Sequence, residues 1–178
     1  SVLASSGCDA LVHALEGFMS TKTNEHVRHF SKRAFTLIME NMIPLLKGNG
    51  NLENWHNMQW AAIYAMFSLS NSTSGPSAAL SYYLGTNYKV NHGVAGGVFI
   101  GKVCNYNHQN KYFDLGHLYE GENKNVLSME KRSELVVKQI NELLLIAKIP
   151  KSLSSFGVDE SSFAGFNDFA VKAKEAFS

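Results

Sequence analysis

Asp9 and His13 stand four residues apart within Gly7-Cys8-Asp9-Ala10-Leu11-Val12-His13-Ala14-Leu15-Glu16-Gly17-Phe18. Leu11, Leu15 and Phe18 repeat at i, i+4 and i+7, which predicts an amphipathic helix with one face on a core. On such a helix Asp9 and His13 lie one above the other on a second face. A carboxylate and a neutral imidazole one turn apart can share a divalent cation, because both are ligands for zinc or ferrous iron. The same spacing suits a plain pair in which the acid only hydrogen-bonds the ring. The pair alone leaves both readings open.

Other histidines offer less. His26 and His29 sit three apart in a polar first turn beside Glu25 and Arg28, which reads as a solvated helix end. His56 lies between Asn54 and Asn57 and reads as a surface or hydrogen-bonded residue, while His108 and His117 have no partner at a metal-ligand spacing.

The elements expected to position these residues are helical throughout. Residues 1–5 read as a polar lead-in, with Ser5 or Ser6 capping the first helix. Asn24 caps a second helix to about Leu46, with Val27, Phe30, Ala34, Leu37 and Ile38 on its buried side and Pro44 tightening its last turn. A third helix over 52–68 is apolar around nearly its whole circumference, which predicts a place in the middle of the bundle. Pro76 suits the first position of a short helix that Gly85 ends. His92-Gly93 opens an apolar helix through Ile100, whose glycines at 93, 96, 97 and 101 predict close approach to a neighbour. A polar loop is expected over 105–111, then an amphipathic helix over 129–149 stopped by Pro150, then closing segments over 153–158 and 163–177 with Asp159 or Ser161 as a cap. No strand is needed, so the fold class is an all-α multi-helix bundle.

Composition excludes several function classes. The chain has 178 residues, 45% of them apolar and 17% charged, enough for one domain with a real core. Sixteen basic against fifteen acidic residues leave a net charge of +1, which argues against nucleic acid or an anionic membrane as partner. No apolar run approaches the roughly 20 residues a bilayer requires. The N-terminus has no basic-then-apolar signal pattern. Cys8 and Cys104 form no disulfide framework and read as reduced thiols of a cytoplasmic protein.

Residues 7–17 resemble the helix that opens the C-terminal domain of iron-containing (group III) alcohol dehydrogenases, where the wording is Asp-Ala-Leu-x-His-Ala-hydrophobic-Glu. Phe67-Ser68-Leu69-Ser70-Asn71, and then Leu84-Gly85 through Asn91-His92-Gly93-Val94-Ala95, are similar to that domain's second signature. The blocks stand in family order at about the family spacing, and the resemblance covers roughly residues 1–165. It implies the dehydroquinate synthase-like helical domain and a metal held by Asp9, His13 and His92. It also implies hydride transfer between an alcohol and an aldehyde or ketone with NAD(P), the metal (Fe2+ or Zn2+) acting as Lewis acid. The NAD(P)-binding α/β domain of the intact enzyme has no counterpart here, since no Gly-x-Gly-x-x-Gly follows a strand. This chain is therefore expected to be a single helical metal and substrate domain over 1–178, the C-terminal half of a larger enzyme and inactive by itself.

Two positions depart from the family. A further metal-binding histidine is expected fourteen residues before His92, where this chain has Ala78, and a proton-relay histidine ten residues before it, where this chain has Tyr82. Two histidines and a carboxylate remain a workable set for a catalytic ion. Hydroxyls of Ser77, Ser81 or Tyr82 could fill part of the vacated space, and Tyr82 is the candidate catalytic residue, as proton relay or substrate hydrogen bond. The expected partner is a small alcohol or aldehyde, and a homodimer is allowed by the resemblance. The competing readings are a divergent superfamily member without the metal, and a non-catalytic helical interaction domain in which Asp9, His13 and His92 are structural.

Overall fold

In the computed structural model the chain is described over residues 1–177, with side chains over 1–172, and the described residues are helical with no strand. The first helix, α1, spans Val2–Phe18, and Ser1 rather than Ser5 or Ser6 caps it, accepting from the Ala4 N–H at 3.3 Å. Nothing between Val2 and Ser6 resists helix, so the serines join it, and Ser5 reaches across to Asn91 instead of capping. Helix α2 spans Glu25–Leu46 and begins where expected, with Asn24 accepting from the Val27 N–H at 3.0 Å and Pro44 inside its last turn. Val27, Ala34, Leu37 and Ile38 are buried.

Helix α3, Leu52–Ser70, is not central. Met58, Ala61, Ala65 and Ser68 form its buried stripe, whereas Trp55 is 48% and Phe67 49% exposed, with Trp60, Ile63 and Met66 also on the surface. The physical reason is size. Helices pack with axes about 8–10 Å apart, so the small residues of α3 meet α1 and α2 while its large rings stay outside. Those rings stack on one another, Trp60 on Tyr64 at 5.8 Å and Tyr64 on Phe30 at 6.0 Å. The centre belongs to α1, whose Ala4, Cys8, Ala10, Leu11, Val12, Ala14, Leu15 and Phe18 are all buried. It packs against α2, α3 and two further helices.

Those two are α4, Pro76–Tyr88, and α5, His92–Gln109. Pro76 occupies the first position of α4 as expected, but Gly85 does not end it; Lys89, left-handed at φ 59°, does. A helical glycine costs about 1 kcal/mol relative to alanine, too little to stop a helix whose Leu84 is buried. Helix α5 likewise runs through most of the segment expected as loop. Its buried Cys104 and the Asn107 amide, which donates to Met19 Sδ at 3.2 Å, anchor the last turns against α1. Two 3-10 turns, Leu115–Leu118 and Glu122–Asn125, lead to α6, Met129–Ile146. This helix ends before Ile149 because Lys148 turns left-handed at φ 57°. Asp159 caps a 3-10 turn, accepting from the Ser162 N–H at 3.1 Å, and α7 follows over Phe163–Phe177.

Leu84, Ala95, Phe99, Val158 and Phe166 form a small second cluster that ties α7 to α4 and α5. Cys8 and Cys104 are both buried and unpaired, and burial pushes the Cys8 thiol up to about 12 and the Cys104 thiol higher still. Among the described residues no helix is long and apolar enough to cross a membrane.

Candidate metal centre

Helix α1 offers Asp9 and His13 on the edge that faces the start of α5. The approach of α5 depends on Gly93, because a Cβ there would overlap the backbone carbonyl of Ser5. One turn on, a Cβ at Gly96 would press Val12 Cγ2 at 3.0 Å. Only glycine lets the two backbones come this close. Asn91 fixes the entry of α5: its Oδ1 accepts from the Gly93 N–H at 3.1 Å and from the Ser5 hydroxyl. The residue between them, His92, is thereby set beside Asp9.

Asp9, His13 and His92 are the group of metal-capable side chains found among the described residues, each offering an atom within 4.8 Å of the others. Asp9 Oδ1 lies 3.5 Å from His92 Nε2 and 3.8 Å from His13 Nε2. Both separations exceed a good hydrogen bond, and each lies within ion-pair reach of a protonated ring. They also suit a common ion, since ligand bonds of about 2.1 Å at a tetrahedral centre place donor atoms about 3.4 Å apart. The donor set fits zinc or ferrous iron. His13 is largely buried, and desolvation lowers its pKa against the opposing pull of the Asp9 carboxylate, with the neighbouring His92 also lowering it. A neutral imidazole is the form that binds metal.

His26, His29, His56 and His117 are exposed and lie outside this group, as does the half-buried His108. His56 accepts from the Trp60 indole N–H at 3.1 Å, the hydrogen-bonded surface role its sequence neighbours suggest.

Helix α4 closes the other side. Tyr82 is 56% exposed and its ring stands 4.7 Å from that of His92, at the open edge of the group. Ser81, one residue back, is buried, and its Oγ lies 3.1 Å from His92 Nδ1. It therefore meets the ring nitrogen directed away from Asp9 and does not fill a ligand position. Ser77 contributes its backbone N–H, which donates to Glu16. Ala78 is buried on the same face of α4 as Ser81 and Tyr82.

Glu16 had no role assigned from sequence, though it ends the Asp9–Glu16 motif. Its carboxylate is buried under the N-terminus of α4 and accepts three backbone N–H groups: Gly75 at 2.8 Å, Ser77 at 2.6 Å and Ala78 at 3.1 Å. These are the unpaired donors of a helix start, where negative charge is favoured. Burial pushes the Glu16 pKa up and the three N–H donors pull it back. Glu16 thus fixes α4 to the same helix that carries Asp9 and His13. The sequence cue was Gly75 before Pro76, an N-cap position with no side chain to satisfy the first turn.

The sequence profile of the Fe-containing alcohol dehydrogenase family, C-terminal, matches residues 3–178. The chain is 32% identical to 1,3-propanediol dehydrogenase of Klebsiella pneumoniae over 181 aligned positions, covering 100% of this chain and 46% of that protein. It is 27% identical to the NAD-dependent methanol dehydrogenase of Bacillus methanolicus, over 96% of this chain and 44% of that one. Among solved structures it resembles a 1,3-propanediol oxidoreductase, with a TM-score of 0.84 and 31% identity over 95% of this chain and 45% of the other. The chain thus spans about half the length of the curated relatives it matches.

Proposed function

This chain belongs to the Fe-containing alcohol dehydrogenase family, and we propose that it is the metal- and substrate-binding domain of an NAD(P)-dependent oxidoreductase interconverting an alcohol and an aldehyde or ketone. The observation that carries the proposal is the meeting of Asp9 and His13 on α1 with His92 at the start of α5. Relatives named for 1,3-propanediol and for NAD-dependent methanol oxidation support the reaction class. The cofactor would be held by a further α/β domain of the intact enzyme.

Asp9, His13 and His92 would hold a divalent ion, Fe2+ or Zn2+. When bound, the ion supplies Lewis acidity to the alcohol or carbonyl oxygen. The chain's own residues do the rest. Tyr82, whose ring stands beside that of His92 at the open edge, would hydrogen-bond a substrate oxygen through its phenol. Burial of His13 lowers its pKa and so favours the neutral imidazole, the form that binds metal. Glu16 holds α4, and with it Tyr82, in register with α1.

The test is metal affinity of the chain after anaerobic loading with ferrous iron or zinc, beside Asp9→Ala and His92→Ala. Near-stoichiometric binding that both variants lose is the expected result. Equal binding by all three chains would refute the ligand assignment. No binding by any of them would favour the second reading, a family branch that has given up the metal, for which Ala78 and Tyr82 at the family's histidine positions are the specific sign.

A further inference from the structure

Ser81 is fully buried at 0% exposure, and its Oγ has two polar neighbours, the Ala78 carbonyl oxygen at 2.6 Å and His92 Nδ1 at 3.1 Å. A hydroxyl has one proton to give and lone pairs to receive. The carbonyl has no proton, so the short contact to Ala78 is one that Ser81 must donate. What remains toward His92 is a lone pair, and the ring can meet it favourably only with a proton on Nδ1. The opposite tautomer would set two lone pairs against each other at the buried Ser81 hydroxyl. Asp9 pulls the other way, toward a proton on Nε2, but from 3.5 Å its Oδ1 lies beyond a good hydrogen bond to that nitrogen, whereas Ser81 meets Nδ1 at 3.1 Å.

Protonation on Nδ1 leaves Nε2 with its lone pair exposed to Asp9 Oδ1. Two electron-rich atoms then face each other across the centre of the group, held there by Gly93 and Asn91. That arrangement is poised for a cation. We propose that Ser81 is a positioning residue: it fixes the His92 proton on Nδ1 and so presents Nε2 to the divalent ion. The proposal rests on the ligand reading of Asp9, His13 and His92. It also gives this chain, with Ala78 where the family has a histidine, a means of orienting the ligands it retains. Partners on the second ring nitrogen commonly hold a metal-bound histidine in this way.

The experiment uses the 178-residue chain labelled with 15N at histidine. Tautomers are read from nitrogen shifts and ring couplings without metal at mildly alkaline pH, in wild type and in Ser81→Ala. Zinc affinity is then measured by chelator competition. The expected result is an Nδ1–H signature for wild-type His92 that shifts toward the mixture of a free imidazole in Ser81→Ala, with zinc binding about 10–100-fold weaker. An Nε2–H signature in wild type overturns the proposal without recourse to a variant. So does a Ser81→Ala chain that keeps both the wild-type signature and the wild-type affinity. Failure of wild type to bind zinc overturns the ligand reading, and the metal-free tautomer signal separates that failure from failure of the Ser81 role.

Discussion

Replacing Glu16 with alanine should loosen the joint between α1 and α4. The carboxylate receives three backbone N–H groups, and two of them, on Ser77 and Ala78, belong to buried residues that water reaches poorly. A stranded buried donor costs about 1–3 kcal/mol, hence about 2–6 kcal/mol for the pair. The half-buried Gly75 can turn its N–H to solvent and adds little. Removing a carboxylate that burial already penalises offsets part of the loss, and the net expectation is about 2–4 kcal/mol. Glu16→Gln keeps one acceptor oxygen but aims an amide donor at the Gly75 N–H, which should cost about 1 kcal/mol. The pH dependence has a definite sign. Burial raises the folded-state pKa above the ordinary 4.5, so the stability linked to Glu16 protonation is complete below 4.5 and is lost as pH rises through the folded value. The wild-type margin over Glu16→Gln should therefore narrow from pH 4.5 upward. Urea unfolding followed by far-ultraviolet circular dichroism, repeated across that range, measures both quantities. A Glu16→Ala chain with the wild-type midpoint and slope, or a margin that widens with pH, would refute the reasoning.

Gly93→Ala places a methyl against the Ser5 carbonyl and should cost about 1–3 kcal/mol or more. It should also weaken metal binding by prising His92 from Asp9, whereas Gly97→Ala, which faces Ile149 at 3.2 Å, should spare it. Melting curves with zinc titration compare the two, and equal metal affinity in both would sink the claim. Ala78→His adds an imidazole on the face of α4 that carries Ser81 and Tyr82. A fourth ligand there should tighten zinc binding by at least tenfold, about 1.4 kcal/mol. Chelator competition reads this directly, and unchanged affinity would mean that residue 78 does not reach the site.

Local physics was legible in the sequence. Asn24 at the head of α2 satisfies a backbone N–H three residues on, Pro76 at the start of α4 has no N–H to satisfy, and His92-Gly93 opens α5. The Asp9–His13 spacing places both on one helix face by geometry alone, and the glycines of α5 announced close packing. Which helix occupies the centre was not legible. Apolar content singled out α3, but the distance between packed helices selects small side chains, and that gave the place to α1 and left the rings of α3 outside. The roles of Glu16 and Ser81 were hidden for a related reason. Glu16 finds its donors 59 to 62 positions away and Ser81 meets His92 from a neighbouring helix. A side chain's hydrogen-bond partner across the fold is fixed only when the helices dock, so the sequence determined the helical elements and the side-chain types of the candidate site, and the tertiary packing decided which atoms meet.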